Sequence, residues 1–104
     1  MTQRQQRTLA FCNRVRVALG KKPRQTLAKG ELSDPEKCPI ARTICEYGIK
    51  ATSQTLVAQF GEDRTLLSGA GFDVSAQGYI ALPGYAREFV WHFDRGLYPE
   101  LVKS

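Results

Sequence analysis

Apolar residues recur at three- and four-residue spacing over residues 4–19, where Leu9, Cys12, Val15 and Leu19 fall on one side of a helix that Gly20 ends. On the same projection Arg7 and Arg14, with Arg4 nearby, lie away from that stripe, and Lys21, Lys22 and Arg24 carry the charge past the helix end. Cations in the last turn and beyond also suit the negative end of the helix dipole, so part of this charge is accounted for structurally. Residues 24–30 have room for one short helical turn carrying Leu27. Asp34, before Pro35, reads as an N-cap ahead of a second helix over 39–46, with Ile40, Ala41 and Ile44 facing the core and Gly48 as terminator.

Further along, Thr and Val content with period-two alternation predicts short strands at 49–52, 55–60 and 78–82, with Leu56, Ala58 and Phe60 on one face. The segment 55–60 is also short enough to be a helical turn. Residues 61–64 read as a turn and 68–78 as a glycine-rich connection around Phe72. The last helix is the clearest: Leu82-Pro83-Gly84 opens it, Gly96 stops it after residue 94, and Ala86, Phe89, Val90 and Phe93 form one stripe. Its opposite side carries Arg87, Trp91 and Arg95 at four-residue intervals. Two readings of that column are open. Either Trp91 packs beneath the first helix or the Tyr98-Pro99 tail with the arginines on it, or the indole faces outward as an anchor for an interface or an unpaired base. The elements together predict an α+β fold: one small domain over 1–104 with a basic first helix, a second short helix, a few short antiparallel strands and an amphipathic last helix. Residues 1–8 are a candidate flexible basic arm.

Composition narrows the class. The 104 residues, 42% of them hydrophobic, suffice for one core and no second. No apolar stretch approaches the ~20 residues that cross a bilayer, and Arg4, Arg7, Asn13, Arg14 and Arg16 interrupt the start of the chain where a signal peptide needs an apolar run. The expectation is a cytoplasmic protein with no membrane partner. Charge is lopsided: residues 1–30 hold eight bases and no acid, whereas 31–104 hold seven bases and ten acids. A concentrated positive patch attracts polyanions, so nucleic acid, DNA above all, is the default partner and an acidic host protein surface the next; a merely solvated face is the bland alternative. A helix-turn-helix is thinly supported, because the second helix offers mainly Arg42, Thr43 and Glu46 to base edges.

Chemistry adds little. Cys12, Cys38 and Cys45 are an odd number, read as reduced, buried small hydrophobes. With His92 they lack the short Cys-x2-Cys pair of a zinc site, and no arginine follows any of them six positions on, as a cysteine phosphatase requires. Gly69-Ala70-Gly71 lacks both the third glycine and the Lys-Ser/Thr of a phosphate loop. His92 is the single histidine, no nucleophile motif surrounds the serines or cysteines, and Glu62, Asp63, Asp73, Glu88 and Asp94 show no acid/base spacing. No catalytic residue, metal or cofactor is expected. The expected function is non-enzymatic DNA binding, with Arg4, Arg7, Arg14, Lys21, Lys22 and Arg24 on phosphates and Arg87, Trp91 and Arg95 as a second contact. The other reading is a protein-interaction module anchored on the Trp91 column, and self-association through that side would give a homodimer.

Two stretches carry a resemblance. Asp34-Pro-Glu-Lys-Cys-Pro-Ile-Ala-Arg-Thr-Ile44 is similar to a Cys-Pro-x-Ala-Arg motif, and Leu82-Pro-Gly-Tyr-Ala-Arg-Glu-Phe-Val-Trp-His-Phe-Asp-Arg-Gly-Leu-Tyr-Pro-Glu-Leu101 to a Pro-x-x-x-Arg-Glu-Phe-Val-x-x-Phe-Asp-x-Gly-x-Tyr-Pro-Glu-Leu ending. Both resemble segments of small uncharacterised proteins of actinobacteria and their phages, and cover about a third of the chain. The resemblance implies shared positions at Cys38, Pro39, Arg42, Arg87, Phe89, Phe93 and Tyr98, and no known activity. It implies a small phage product that binds host DNA, or a host protein that it inhibits; the basic N-terminal stretch lies outside it.

Overall fold

Thr2 starts the first helix. Its hydroxyl accepts the Gln5 N–H at 3.1 Å while Gln5 Oε1 accepts the Thr2 N–H at 2.8 Å, a reciprocal cap that satisfies two otherwise orphaned donors. In the computed structural model, which describes residues 1–45, 49–51, 55–58 and 63–103, this cap opens α1 (Gln3–Ala18). Leu9, Cys12 and Val15 are buried as the spacing predicts, and Gln5, Thr8 and Phe11 widen the buried face. Leu19 is the C-cap and is half-buried, and Gly20 ends the helix in the left-handed region at φ +79. Residues 3–8 are thus the first turns of α1 rather than an arm separate from it.

The second helix, α2 (Pro39–Ile44), is shorter than its pattern and capped differently. Cys38, not Asp34, is the N-cap: its Sγ accepts the Ala41 N–H at 3.5 Å, whereas Asp34 Oδ1 accepts the Glu36 N–H at 3.1 Å in the preceding turn. Ile40, Ala41 and Ile44 are buried as expected. The helix stops at Ile44, after which Cys45 is extended, and the Arg16 guanidinium donates to the carbonyls of Thr43 and Ile44 at 3.0 and 3.2 Å. Glu46 and Gly48, placed at its end by the sequence, lie outside the described residues. The helical turn expected at 24–30 is absent. There Asn13 Nδ2 donates to the Arg24 carbonyl and the Ala28 N–H donates to Thr43 Oγ1, each at 2.8 Å, so side chains from two helices take the acceptor and the donor that one helical turn would join, and Leu27 is buried in irregular chain.

A three-stranded antiparallel meander follows the predicted order: β1 (Ile49–Ala51), β2 (Thr55–Ala58) and β3 (Tyr79–Ala81), with Lys50 opposite Val57 and Leu56 opposite Ile80. The helical-turn alternative for the second segment gives way to the strand over 55–58; Thr52, Gln59 and Phe60 lie outside the described residues. Between β2 and β3 stands α3 (Asp63–Gly69), which replaces the turn expected at Asp63 and Arg64. The connection expected over 68–78 starts at residue 70, because Ser68 and Gly69 belong to α3, and residues 70–78 form it.

The last helix, α4 (Gly84–Asp94), buries Ala86, Phe89, Val90 and Phe93 and ends before Gly96, as its stripe predicts. Tyr98 stacks on Phe89 with centroids 5.1 Å apart, and a 3-10 turn (Pro99–Leu101) closes the chain over this helix. The closing segment is tied down twice. Gln5 Nε2 donates to Glu100 at 2.9 Å, holding that carboxyl below its usual range, and Gly30 exchanges backbone bonds of 2.8 Å with Leu101 and Lys103. Gly30 is required there, since a Cβ would stand 2.4 Å from the Lys37 carbonyl oxygen. The core lies where α1, α2, α4 and the sheet meet, in an α+β arrangement. Among the described residues no helix is long and apolar enough to cross a membrane.

Candidate nucleic-acid interface

The outer side of α1 is lined by exposed Gln3, Arg7, Ala10, Arg14 and Val17, again at four- and three-residue spacing. Its two arginines are folded down onto rings. Arg7 Cζ lies 4.4 Å from the centroid of Tyr85, at the start of α4, and Arg14 Cζ lies 5.6 Å from Phe72 and 5.9 Å from Phe11. Ring contact holds a guanidinium without using its five N–H donors. Among the described residues neither side chain makes a hydrogen bond or an ion pair.

The basic segment after the helix turns back along it. Asn13 brackets Arg24, donating to its carbonyl and accepting its N–H, both at 2.8 Å, and Lys21, Lys22 and Arg24 of this segment are exposed. Lys21 Nζ is 3.5 Å from Cys45 Sγ, and Arg24 Nε donates to the Thr26 carbonyl. Arg4 stands apart from these five. It reaches across to α4, pairing with Glu88 at 3.3 Å and donating to the Tyr98 hydroxyl at 3.3 Å, and the Tyr98 bond and Glu88 hold its proton more firmly. Among the described residues it is the one of the eight early cations that meets an acid. Arg16 turns inward to the carbonyls of Lys22, Thr43 and Ile44.

On α4 the indole faces outward. Trp91 is 47% exposed, with Arg95 Cζ 3.9 Å above its ring and His92 against its edge at 4.9 Å, and it lies beneath neither α1 nor the tail. Arg87 is exposed and borders a shallow groove with Trp91 and Glu88. On the other flank of Glu88 an open cleft of about 430 Å³ separates the start of α1 from α4, lined by Arg4, Arg7, Tyr85, Glu88, His92 and Tyr98. His92 Nδ1–H donates to the Glu88 carbonyl at 2.7 Å, which leaves Nε2 for other partners. Tyr85 and Phe72, the rings under the two arginines, escape sequence reasoning. Tyr85 carried a signal as an aromatic off the buried stripe of its helix; Phe72, within a glycine-rich connection, carried none.

Two of the three thiols are poor nucleophiles in their setting. Burial pushes the Cys12 thiol far above its ordinary range and the Cys38 thiol up to about 11, which keeps both protonated at neutral pH. Cys45 is half-buried, less enclosed than the sequence reading has it. Among the described residues no three His, Cys, Asp or Glu side chains gather closely enough to hold a metal ion. No protein-family model, curated protein or solved structure matches the chain.

Proposed function

We propose that the protein is a non-enzymatic nucleic-acid-binding protein, with DNA the favoured ligand, and that the outer side of α1 and the segment 20–24 contact phosphates. One observation carries this: Arg7 and Arg14 on the outer side of α1, and Lys21, Lys22 and Arg24 in the segment that turns back along the helix, are exposed and meet no acid among the described residues. Such cations release counterions from a polyanion. Five phosphate contacts give a log–log salt slope of about −4.5 and an affinity loss of about 500-fold between 50 and 200 mM salt. Fluorescence anisotropy with a labelled oligonucleotide at those two concentrations tests it. Reversing Arg7 and Arg14 to Glu weakens binding and reduces the slope by about 2. Absence of binding at the lower salt, or binding indifferent to salt, removes the proposal. The same reading puts the protein in the cytoplasm, where nucleic acid is found and its three free thiols stay reduced.

The outward Trp91 with Arg95 on its ring favours a second reading, a protein-interaction module anchored on α4, of the kind a phage product inhibiting a host factor would use. Reversing Arg7 and Arg14 to Glu separates the two, because a phosphate track on α1 loses its affinity while a protein interface anchored on Trp91 keeps its own.

A further inference from the structure

We infer that the nucleic acid is single-stranded, its phosphates following the cations of α1 and its unpaired bases lying on the Tyr85–Trp91 flank of α4; this rests on the nucleic-acid reading above. Single-strand binders combine a cationic track with rings on which bases stack, and here the two run side by side. Three guanidinium–ring pairs mark the surface: Arg14 on Phe72, Arg7 on Tyr85 and Arg95 on Trp91. In a duplex the faces of the bases are covered by their neighbours and only edges show in the grooves, so a half-exposed indole finds nothing to stack on there. The arginines agree. Arg7 and Arg14 lie against rings 4.4 and 5.6 Å away instead of projecting, as a side chain that enters a groove must.

Charge sorts backbone from base. The exposed side of α1 carries Arg7 and Arg14 and no acid, whereas the cleft between α1 and α4 holds the Glu88 carboxylate, which pairs with Arg4 at 3.3 Å yet stays 62% exposed and is able to accept hydrogen bonds from exocyclic amino groups. A strand laid with its phosphates on α1 and its bases toward α4 meets each group with its complement.

Trp91 is the sole tryptophan of the chain, so its emission reports on the proposed stacking directly. Single-stranded DNA and a duplex of the same length are titrated into the protein at matched salt. Preferential binding of the single strand with quenched Trp91 emission is expected. In anisotropy, Trp91→Ala and Tyr85→Leu, each checked for folding by circular dichroism, weaken the single strand about tenfold or more while duplex affinity holds. Arg7→Glu weakens both ligands. Equal or tighter duplex binding, emission unchanged at saturation, or single-strand affinity indifferent to both ring variants overturns the inference and leaves the nucleic-acid reading standing. No salt-dependent binding of either ligand removes both.

Discussion

Arg16 shows how a residue counted as surface charge can belong to the interior. Its Nε donates to the Lys22 carbonyl at 2.7 Å and its Nη1 to those of Thr43 and Ile44, so one planar group joins α1, the segment after it and the end of α2. The last carbonyls of a helix lack intrahelical partners and carry the negative end of its dipole, which suits a guanidinium. Arg16→Ala therefore destabilises the fold by about 2 kcal/mol, lowering the melting temperature by about 10 °C. Arg16→Lys restores little, since a point ammonium cannot span carbonyls as a fork does. Thermal melts followed by circular dichroism check this, and an alanine variant that melts with the parent protein would refute the clamp. Charge counting could not distinguish Arg16 from Arg14, because the acceptors that separate them sit on another element.

At the scale of the element, α2 is capped by a thiol, and that makes it sensitive to alkali. Cys38 Sγ accepts the Ala41 N–H and its S–H donates to the Ala51 carbonyl at 3.7 Å, linking the start of the helix to β1. Its folded pKa is about 11, raised chiefly by burial, so the unfolded chain loses this proton first. The stabilising effect of the protonated thiol is complete below the ordinary thiol pKa of ~8.5 and is lost as pH rises toward 11. Denaturant unfolding across that window shows stability falling with pH, and Cys38→Ser, which keeps a cap oxygen with a far higher pKa, makes the fall shallower. An unchanged slope in that variant would exclude Cys38 as a source of the alkaline loss.

The elements also divide by how far they could be read in advance. α1 and α4 were legible because each repeats an apolar stripe over about two turns or more, and the strands because alternation marks them. Unlike them, α3 has seven residues and Leu67 as its one buried side chain among those described, so no stripe exists to be read. The absent turn at 24–30 was illegible for another reason: Asn13 and Thr43, outside the segment, claim the carbonyl and the N–H that it would pair. The interface divides likewise. Its cations stand out in a charge count, but the rings that hold them come from α4 and from the connection after α3, and only folding brings them under α1.

For the molecule as a whole, net charge of +5 understates the asymmetry, since residues 1–30 hold eight bases and no acid while the ten acids are confined to the rest of the chain. A field of that shape orients an approaching polyanion before contact, a steering effect that fades with added salt. The closing segment has a consequence of its own. Gly30 and Lys103 bond across a parallel bridge, with Leu101 as the third member, and the chain beside Gly30 leaves no space for a methyl group. The amide protons of Gly30 and Lys103 should therefore resist exchange with deuterated solvent as a pair. Gly30→Ala should release the Lys103 proton while those in the middle of α4 keep their slow rates, and slow exchange at Lys103 in that variant would contradict it. The end of the chain is in this sense a gauge, read by isotope, of a loop seventy residues before it.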